Sequence, residues 1–245
     1  MILFIGLSSV AQNEVLFKDA AASYNKGEYS AAIEAYENIL ENGKHSAELY
    51  YNLGNAYYKQ NEIAPSIYYY EKALLLQPND AEIKTNLSYA NNMTLDAIEM
   101  IPEVGFSKFY NAIVQWLSFD EWGYVAIIFM IFFVFLYIAF YFFHYSTRKR
   151  IAFILSLFAL LISIIAAALA FVNYTDFKND QPAIVFDSEV AIRPEPNERG
   201  QAVFTLHEGT KVQVLETLDG YQKIQIADGK AGWLPMDSIK LLKDF

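Results

Sequence analysis

The run YYNLGNAYYKQNEIAPSIYYYEKALLLQP, from Tyr50 to Pro78, decides the fold of the N-terminal part. Apolar residues recur in it three and four positions apart, the spacing of one helix face, in two stretches separated by Gln60-Asn61-Glu62. Gly54 is small where two antiparallel helices must approach closely. Leu53, Tyr57, Tyr70 and Ala73 fill the space between helices, and Pro78 closes the second one. Displaced by 34 positions, the chain superposes on itself: Ala22 on Ala56, Tyr24 on Tyr58, Glu28 on Glu62, Ile33 on Ile67, Tyr36 on Tyr70, Glu37 on Glu71 and Leu40 on Leu74. Ala20 then takes the small-residue place of Gly54. A period of this size belongs to stacked two-helix units that cannot bury their apolar faces alone.

Within the better copy, Tyr50, Leu53, Gly54, Tyr57, Tyr70, Ala73 and Pro78 fall at the spacing of the tetratricopeptide pattern, and the stretch resembles that family. A third, degenerate unit starts at Asp80-Ala81, where Leu87 and Tyr89 continue an apolar face through Met93. It is expected to cap the stack as a solvating last helix, completing a repeat domain over residues 12–104. The resemblance implies a groove faced by Phe17, Ala21, Tyr24, Asn25, Tyr51, Asn55, Tyr58 and Lys59. That surface is rich in Tyr and Asn, which suits an extended peptide partner. Versions of such grooves that grip a carboxylate need Lys or Arg at several of these positions. Here only Asn55 and Lys59 are suited, which disfavours acidic chaperone tails. Each aromatic can instead pack repeat on repeat, an alternative the residues leave open.

The middle of the chain is apolar. No charged residue lies between Glu121 and Arg148 or between Arg150 and Asp176, and each stretch exceeds the ~20 residues that span a hydrocarbon core. We expect transmembrane helices over 122–146 and 151–174, joined by a basic loop at 147–150. Arg148, Lys149 and Arg150 stand between them, whereas the outer flanks carry Asp120, Glu121, Asp176 and Asp180. The positive-inside rule therefore puts the loop in the cytoplasm and both soluble parts outside, at a bacterial inner membrane. An N-terminal export signal requires the same orientation. Residues 1–11 read as one, with the apolar run Ile2 to Leu7 followed by small residues at Ser9 and Ala11, although no Lys or Arg precedes the run.

Before the first span, Phe106, Phe109, Tyr110, Ile113, Trp116 and Leu117 recur at helical spacing, as in a helix lying in the outer interface over 105–121. Trp122, Tyr145 and Tyr174 mark interface levels. The spans offer only Ser156 and Ser163 as polar groups of the kind a transport path would need, and both can bond their own helix. Ala159, Ser163, Ala166, Ala167, Ala168 and Ala170 give the second span small faces on which another helix can pack.

After a linker at 175–181, residues 182–245 alternate apolar and polar in short runs, Ala183–Val185, Val190–Ile192, Val203–Leu206, Lys211–Leu215, Gln222–Ile226 and Gly232–Leu234. Turns rich in Pro and Gly separate them, which suggests a small barrel. The order Val190-Ala191-Ile192-Arg193-Pro194, Leu206 to Val212, Gly220 to Ile224 and Asp228-Gly229-Lys230-Ala231-Gly232-Trp233-Leu234 resembles bacterial Src-homology-3-like (SH3-like) domains. Gly209, Gly229 and Gly232 suit turns or close backbone approach, and Trp233 is expected to supply core area that so small a domain needs. The resemblance implies contact with cell-wall peptide or glycan.

The formal charge is −10, most of it on the helical N-terminal part, which makes nucleic acid an unfit partner. There is no cysteine, hence no disulfide framework and no thiolate chemistry. His45, His144 and His207 lack metal-ligand spacing and read as solvated or packed, and no nucleophile, phosphate-binding or dinucleotide motif occurs. We expect neither catalysis, nor a metal, nor a cofactor. Sequons at Asn86, Asn92 and Asn173 are accidental in a bacterium. The full order of repeats, interfacial helix, two spans with a basic turn and SH3-like barrel resembles the BatE proteins of Bacteroides-type aerotolerance operons. That resemblance implies a scaffold acting with membrane-bound von Willebrand A-type proteins and, indirectly, a MoxR-like ATPase.

Overall fold

A computed structural model describes the backbone of residues 3–98 and 105–243, with side chains from residue 13 on except those of 106 and 107. The expected repeat-domain edge at residue 104 lies outside the described residues. The chain divides into two bodies, one formed by Met1–Ile101 with Gln181–Phe245 and the other by Pro102–Asp180. It contains tetratricopeptide-like helix pairs, two long apolar helices and a small all-β domain.

In the first body, helices α1 (Leu3–Asn25), α2 (Tyr29–Glu41), α3 (Ala47–Lys59), α4 (Ile63–Leu76) and α5 (Ala81–Asn91) form two hairpins and a last helix. Local chemistry sets their ends. Gly27, at φ 82°, turns the chain between α1 and α2, Ser46 caps α3 by accepting from Leu49 N–H, and Asp80 caps α5 by accepting from Glu82 and Ile83 N–H. Tyr36, Tyr50, Tyr70, Leu49 and Leu53 are fully buried between the helices, and Ala20, Ala56 and Ala73 let the helices close on them. A Cβ on Gly54 would lie 2.6 Å from Tyr70 Cδ1, so the glycine is required by the ring that fills its place. The helix named as the expected signal is continuous here with the repeat array, α1 running through Ser9 and Ala11.

The β domain follows the alternation of the sequence. Strands β1 (Pro182–Val185), β2 (Glu189–Ile192), β3 (Phe204–His207), β4 (Lys211–Leu218), β5 (Tyr221–Gln225), β6 (Ala231–Pro235) and β7 (Ile239–Leu241) make a five-stranded antiparallel sheet, β6-β5-β4-β1-β7, and a two-stranded one, β2-β3. Arg193 and Trp233 exchange backbone hydrogen bonds of 2.9 and 2.7 Å, which joins the two sheets. A Cβ on Gly232 would meet Ile192 Cγ2 at 2.5 Å and Arg193 O at 2.8 Å, so this seam needs glycine. Gly229, at φ 86°, makes the turn before β6. Trp233 is buried, but beside rather than within the inner cluster, because the two-residue period sends Leu234 inward and leaves Trp233 under Lys223 of the neighbouring strand. β7 carries no strand signal in the sequence, since a short helical turn at Met236–Ser238 with no glycine or proline inside it introduces the strand.

The second body holds α6 (Phe106–Val114), α7 (Phe119–Phe142) and α8 (Ser146–Asn179). Ser118 and Glu121 form a reciprocal capping box that starts α7. The basic residues Arg148, Lys149 and Arg150, expected in the loop, lie within the first turns of α8, and the connection is only Phe143–Tyr145. Lys and Arg are good helix formers and nothing between Ser146 and Ile151 breaks the helix. Ala152, Ser156, Ala159, Ser163 and Ala166 form the buried stripe of α8, stepping four and three residues as in a coiled-coil seam. α7 covers that stripe, so the expected small face finds its partner inside the hairpin. Ser156 bonds its own helix at Phe153 O, whereas Ser163 crosses to Ala126 O of α7 at 2.8 Å. Ala167 and Ala168 stay exposed.

Candidate functional site

The concave side of the repeats carries a cavity of about 450 Å³ lined by Tyr24 of α1, Tyr51, Asn55, Tyr58 and Lys59 of α3, Tyr70 of α4, and Glu82, Asn86 and Tyr89 of α5. Residues 51, 55, 58 and 59 share one face of α3 because they are separated by three and four positions. The floor is a directed chain of hydrogen bonds. Tyr70 Oη donates to Asn55 Oδ1 at 2.6 Å, and Asn86 Nδ2 donates to Asn55 Oδ1 and to Tyr51 Oη, each at 2.9 Å. Tyr51 Oη in turn donates to Glu82 Oε1 at 2.7 Å. Burial and the Glu82 carboxylate push the Tyr51 phenol up to about 12, and burial pushes Tyr70 up as well, so both stay protonated donors at any physiological pH.

Asn55 Oδ1 is thus occupied twice within the floor, and Lys59, one helical turn on, is exposed. Tyr24, Tyr58 and Tyr89 supply aromatic walls.

The sequence-derived set divides. Tyr24, Tyr51, Asn55, Tyr58 and Lys59 come together, but Phe17 does not join them. Its ring packs edge to face on Tyr36 at 5.4 Å and lines a separate cavity with Asn13, Glu14, Lys18, Lys44, Ser46 and Glu48. Among the residues assigned a folding role, Tyr70 both fills the core and reaches the floor, whereas Tyr57 points away, donating to Glu37 Oε1 at 2.6 Å and stacking on Tyr69. The α5 contribution went unread. Glu82, Asn86 and Tyr89 recur at i, i+4 and i+7, the spacing of a second face beside that of Ile83, Leu87 and Ala90, about 100° round the helix, and that periodicity is present in the sequence. Asn86 is engaged twice in the floor, and Asn173 donates to Val114 and Leu117 carbonyls, so two of the three sequon asparagines hold structural bonds.

Comparison with known proteins places two modules. Residues 47–80 match the tetratricopeptide repeat model and residues 188–240 the bacterial SH3 domain model. A segment of this chain is 35% identical over 78 residues to heat shock protein STI1 of Saccharomyces cerevisiae, covering 29% of this chain and 13% of that protein. The two modules support a role in protein interaction or cell-wall binding. Two helices, Phe119–Phe142 and Ser146–Asn179, are long and apolar enough to cross a membrane and indicate membrane association, and the bacterial SH3 domain suggests an envelope location.

Proposed function

We propose that this chain is a non-enzymatic, membrane-anchored scaffold of a cell-envelope complex, resembling the aerotolerance system in its domain order, with the repeat groove holding an extended segment of a protein partner. The groove itself, with tyrosine walls and Lys59 above a pre-bonded floor of Tyr70, Asn55, Asn86, Tyr51 and Glu82, is the observation that carries this reading. The barrel contacts an envelope component, and the exposed small residues Ala167 and Ala168 offer a contact for partner helices. Von Willebrand A-type membrane proteins are the partners the domain order suggests, with a MoxR-like ATPase acting indirectly. Both soluble parts lie outside the inner membrane in this reading. Folding of the segments before and after the hairpin into one body supports it, because a two-span hairpin returns the chain to the side it left.

Crosslinking in intact cells, gentle solubilisation and mass spectrometry test the scaffold. Von Willebrand A-type proteins should co-purify with the parent chain and be depleted by Asn55→Ala with Tyr58→Ala. An unchanged partner set would rule the groove out as the contact. A cell-wall sensor is the second reading, favoured by the match at residues 188–240. It requires the detergent-solubilised full chain to sediment with isolated sacculi, and a chain that stays in the supernatant excludes it.

A further inference from the structure

The β3–β4 turn of the barrel gathers hydrogen-bond donors around one point, and the point is filled from far away in sequence. Asp96, in the segment that follows α5, accepts from His207 N–H at 2.7 Å and from Thr210 Oγ1 at 2.5 Å through Oδ2, while its Oδ1 lies 2.7 Å from His207 Nδ1. Its side chain is 13% exposed. Gly209 shapes the receptor. At φ 84° it reverses the chain between the two donor residues, and a Cβ there would stand 2.9 Å from Ile67 Cδ1 and from Thr94 Cγ2. The turn therefore lies directly against α4 and the end of the repeats. Around it, Lys211 Nζ pairs with Glu71 at 2.7 Å, Phe186 packs edge to face on Tyr68 at 5.6 Å, and Ile184 and Leu242 join the apolar cluster of α4 and α5.

We infer that the β3–β4 turn is a carboxylate-binding site, filled in cis by Asp96, whose occupation clamps the barrel to the repeat domain. The ligand class follows from the donors. A backbone N–H, a hydroxyl and an imidazole N–H converge on two oxygens about as far apart as those of one carboxylate, and no donor among them is left for a neutral carbonyl to satisfy better. Asp96 is presented by its own chain at high effective concentration, so an outside carboxylate gains the site only when Asp96 leaves. The repeats and the barrel then act as one reader rather than as two tethered modules, independently of what the groove holds.

The test uses the full chain in detergent. The protein has no cysteine, so spin labels on Lys84→Cys of α5 and Thr217→Cys of β4 report the distance between repeats and barrel without interference. The parent should give one narrow distance distribution, and Asp96→Asn a broadened or shifted one. Asp96→Gly should be loosened likewise, and acetate but not chloride should bind its vacated turn, read as a shift of the His207 imidazole proton signals. Thr210→Val keeps Asp96 and removes one donor, and its partial broadening carries the test if the Asp96 variants fail to fold. An Asp96→Asn chain with the parent distribution would overturn the inference, and so would an Asp96→Gly chain whose His207 signals acetate leaves unmoved.

Discussion

At position 54 a methyl group has nowhere to go. The Cβ of Gly54→Ala would overlap the Tyr70 ring, which is itself fixed by its bond to Asn55, so neither neighbour can yield cheaply. Overpacking of this kind costs about 1–3 kcal/mol, and the thermal unfolding of the helical signal should move down accordingly, with the groove floor distorted at the same time. This glycine was readable from sequence because its role is local to a repeat of known period. The Asp96 contact was not. Its partners are more than a hundred residues away, across both apolar helices, and a lone aspartate after a helix carries no pattern. The same contact has a pH window. Burial works to raise the Asp96 carboxyl, but hydrogen bonds from Thr210 and His207 outweigh it and hold it below its ordinary 3.8, while the bond to Asp96, with Glu189 adding to it, raises His207 above 6.5. The depressed carboxyl contributes docking that is present above 3.8 and lost as pH falls through its lowered value. The raised imidazole contributes docking that is full below 6.5 and lost as pH rises through its raised value. Docking should therefore be firmest between pH 4 and 6.5, and the spin-label distribution should broaden on either side. Equal widths at pH 5.5 and 8.5 in the parent would show that His207 charge plays no part.

Among the elements, α8 shows most plainly what composition can and cannot tell. Its small residues were visible, and so was their aptitude for close packing, but not that α7 would take the stripe for itself. Sequence spacing assigns a face without naming its neighbour. In the same way composition marks Arg148, Lys149 and Arg150 as a basic cluster between two apolar stretches but does not reveal their helical state. A cationic cluster at a helix N-terminus opposes the helix dipole, so charge alone argued for a loop. Intact membranes supply the anionic headgroups that relieve this opposition. Two substitutions test the seam. Ala159→Leu puts a branched side chain into the buried stripe and should separate the hairpin, whereas Ser163→Ala removes only the bond to Ala126 O and should cost about 0.6–2 kcal/mol. Unfolding by increasing detergent denaturant, followed by helix–helix energy transfer, distinguishes them, and Ala167→Leu on the exposed side should leave the hairpin unchanged. At the other end, Asn173 donates to the carbonyls of Val114, the last residue of α6, and Leu117 just beyond it, and Trp122 Nε1 also donates to Val114 O. Asn173→Ala should free α6, and its backbone amides should exchange faster while those of α7 do not.

For the molecule as a whole, the proposed outside placement of both soluble parts makes a claim about three separate points on the chain. The first turns of α8 beside the hairpin connection are basic, the far flanks are acidic, and the polypeptides on either side of the hairpin fold into one body that only a common compartment allows. Absence of cysteine makes each point addressable alone. Lys26→Cys before α2 and Glu198→Cys in the β2–β3 loop are exposed and should react with a membrane-impermeant maleimide in cells whose outer membrane has been opened. Lys149→Cys should stay unlabelled until the inner membrane is also lysed. Reversal of the whole pattern would place the soluble parts in the cytoplasm, and the cell wall could then no longer be a ligand. Labelling of Lys26→Cys but not Glu198→Cys would mean that only one helix spans the membrane, which would separate the repeats from the barrel and make the Asp96 clamp impossible in the cell.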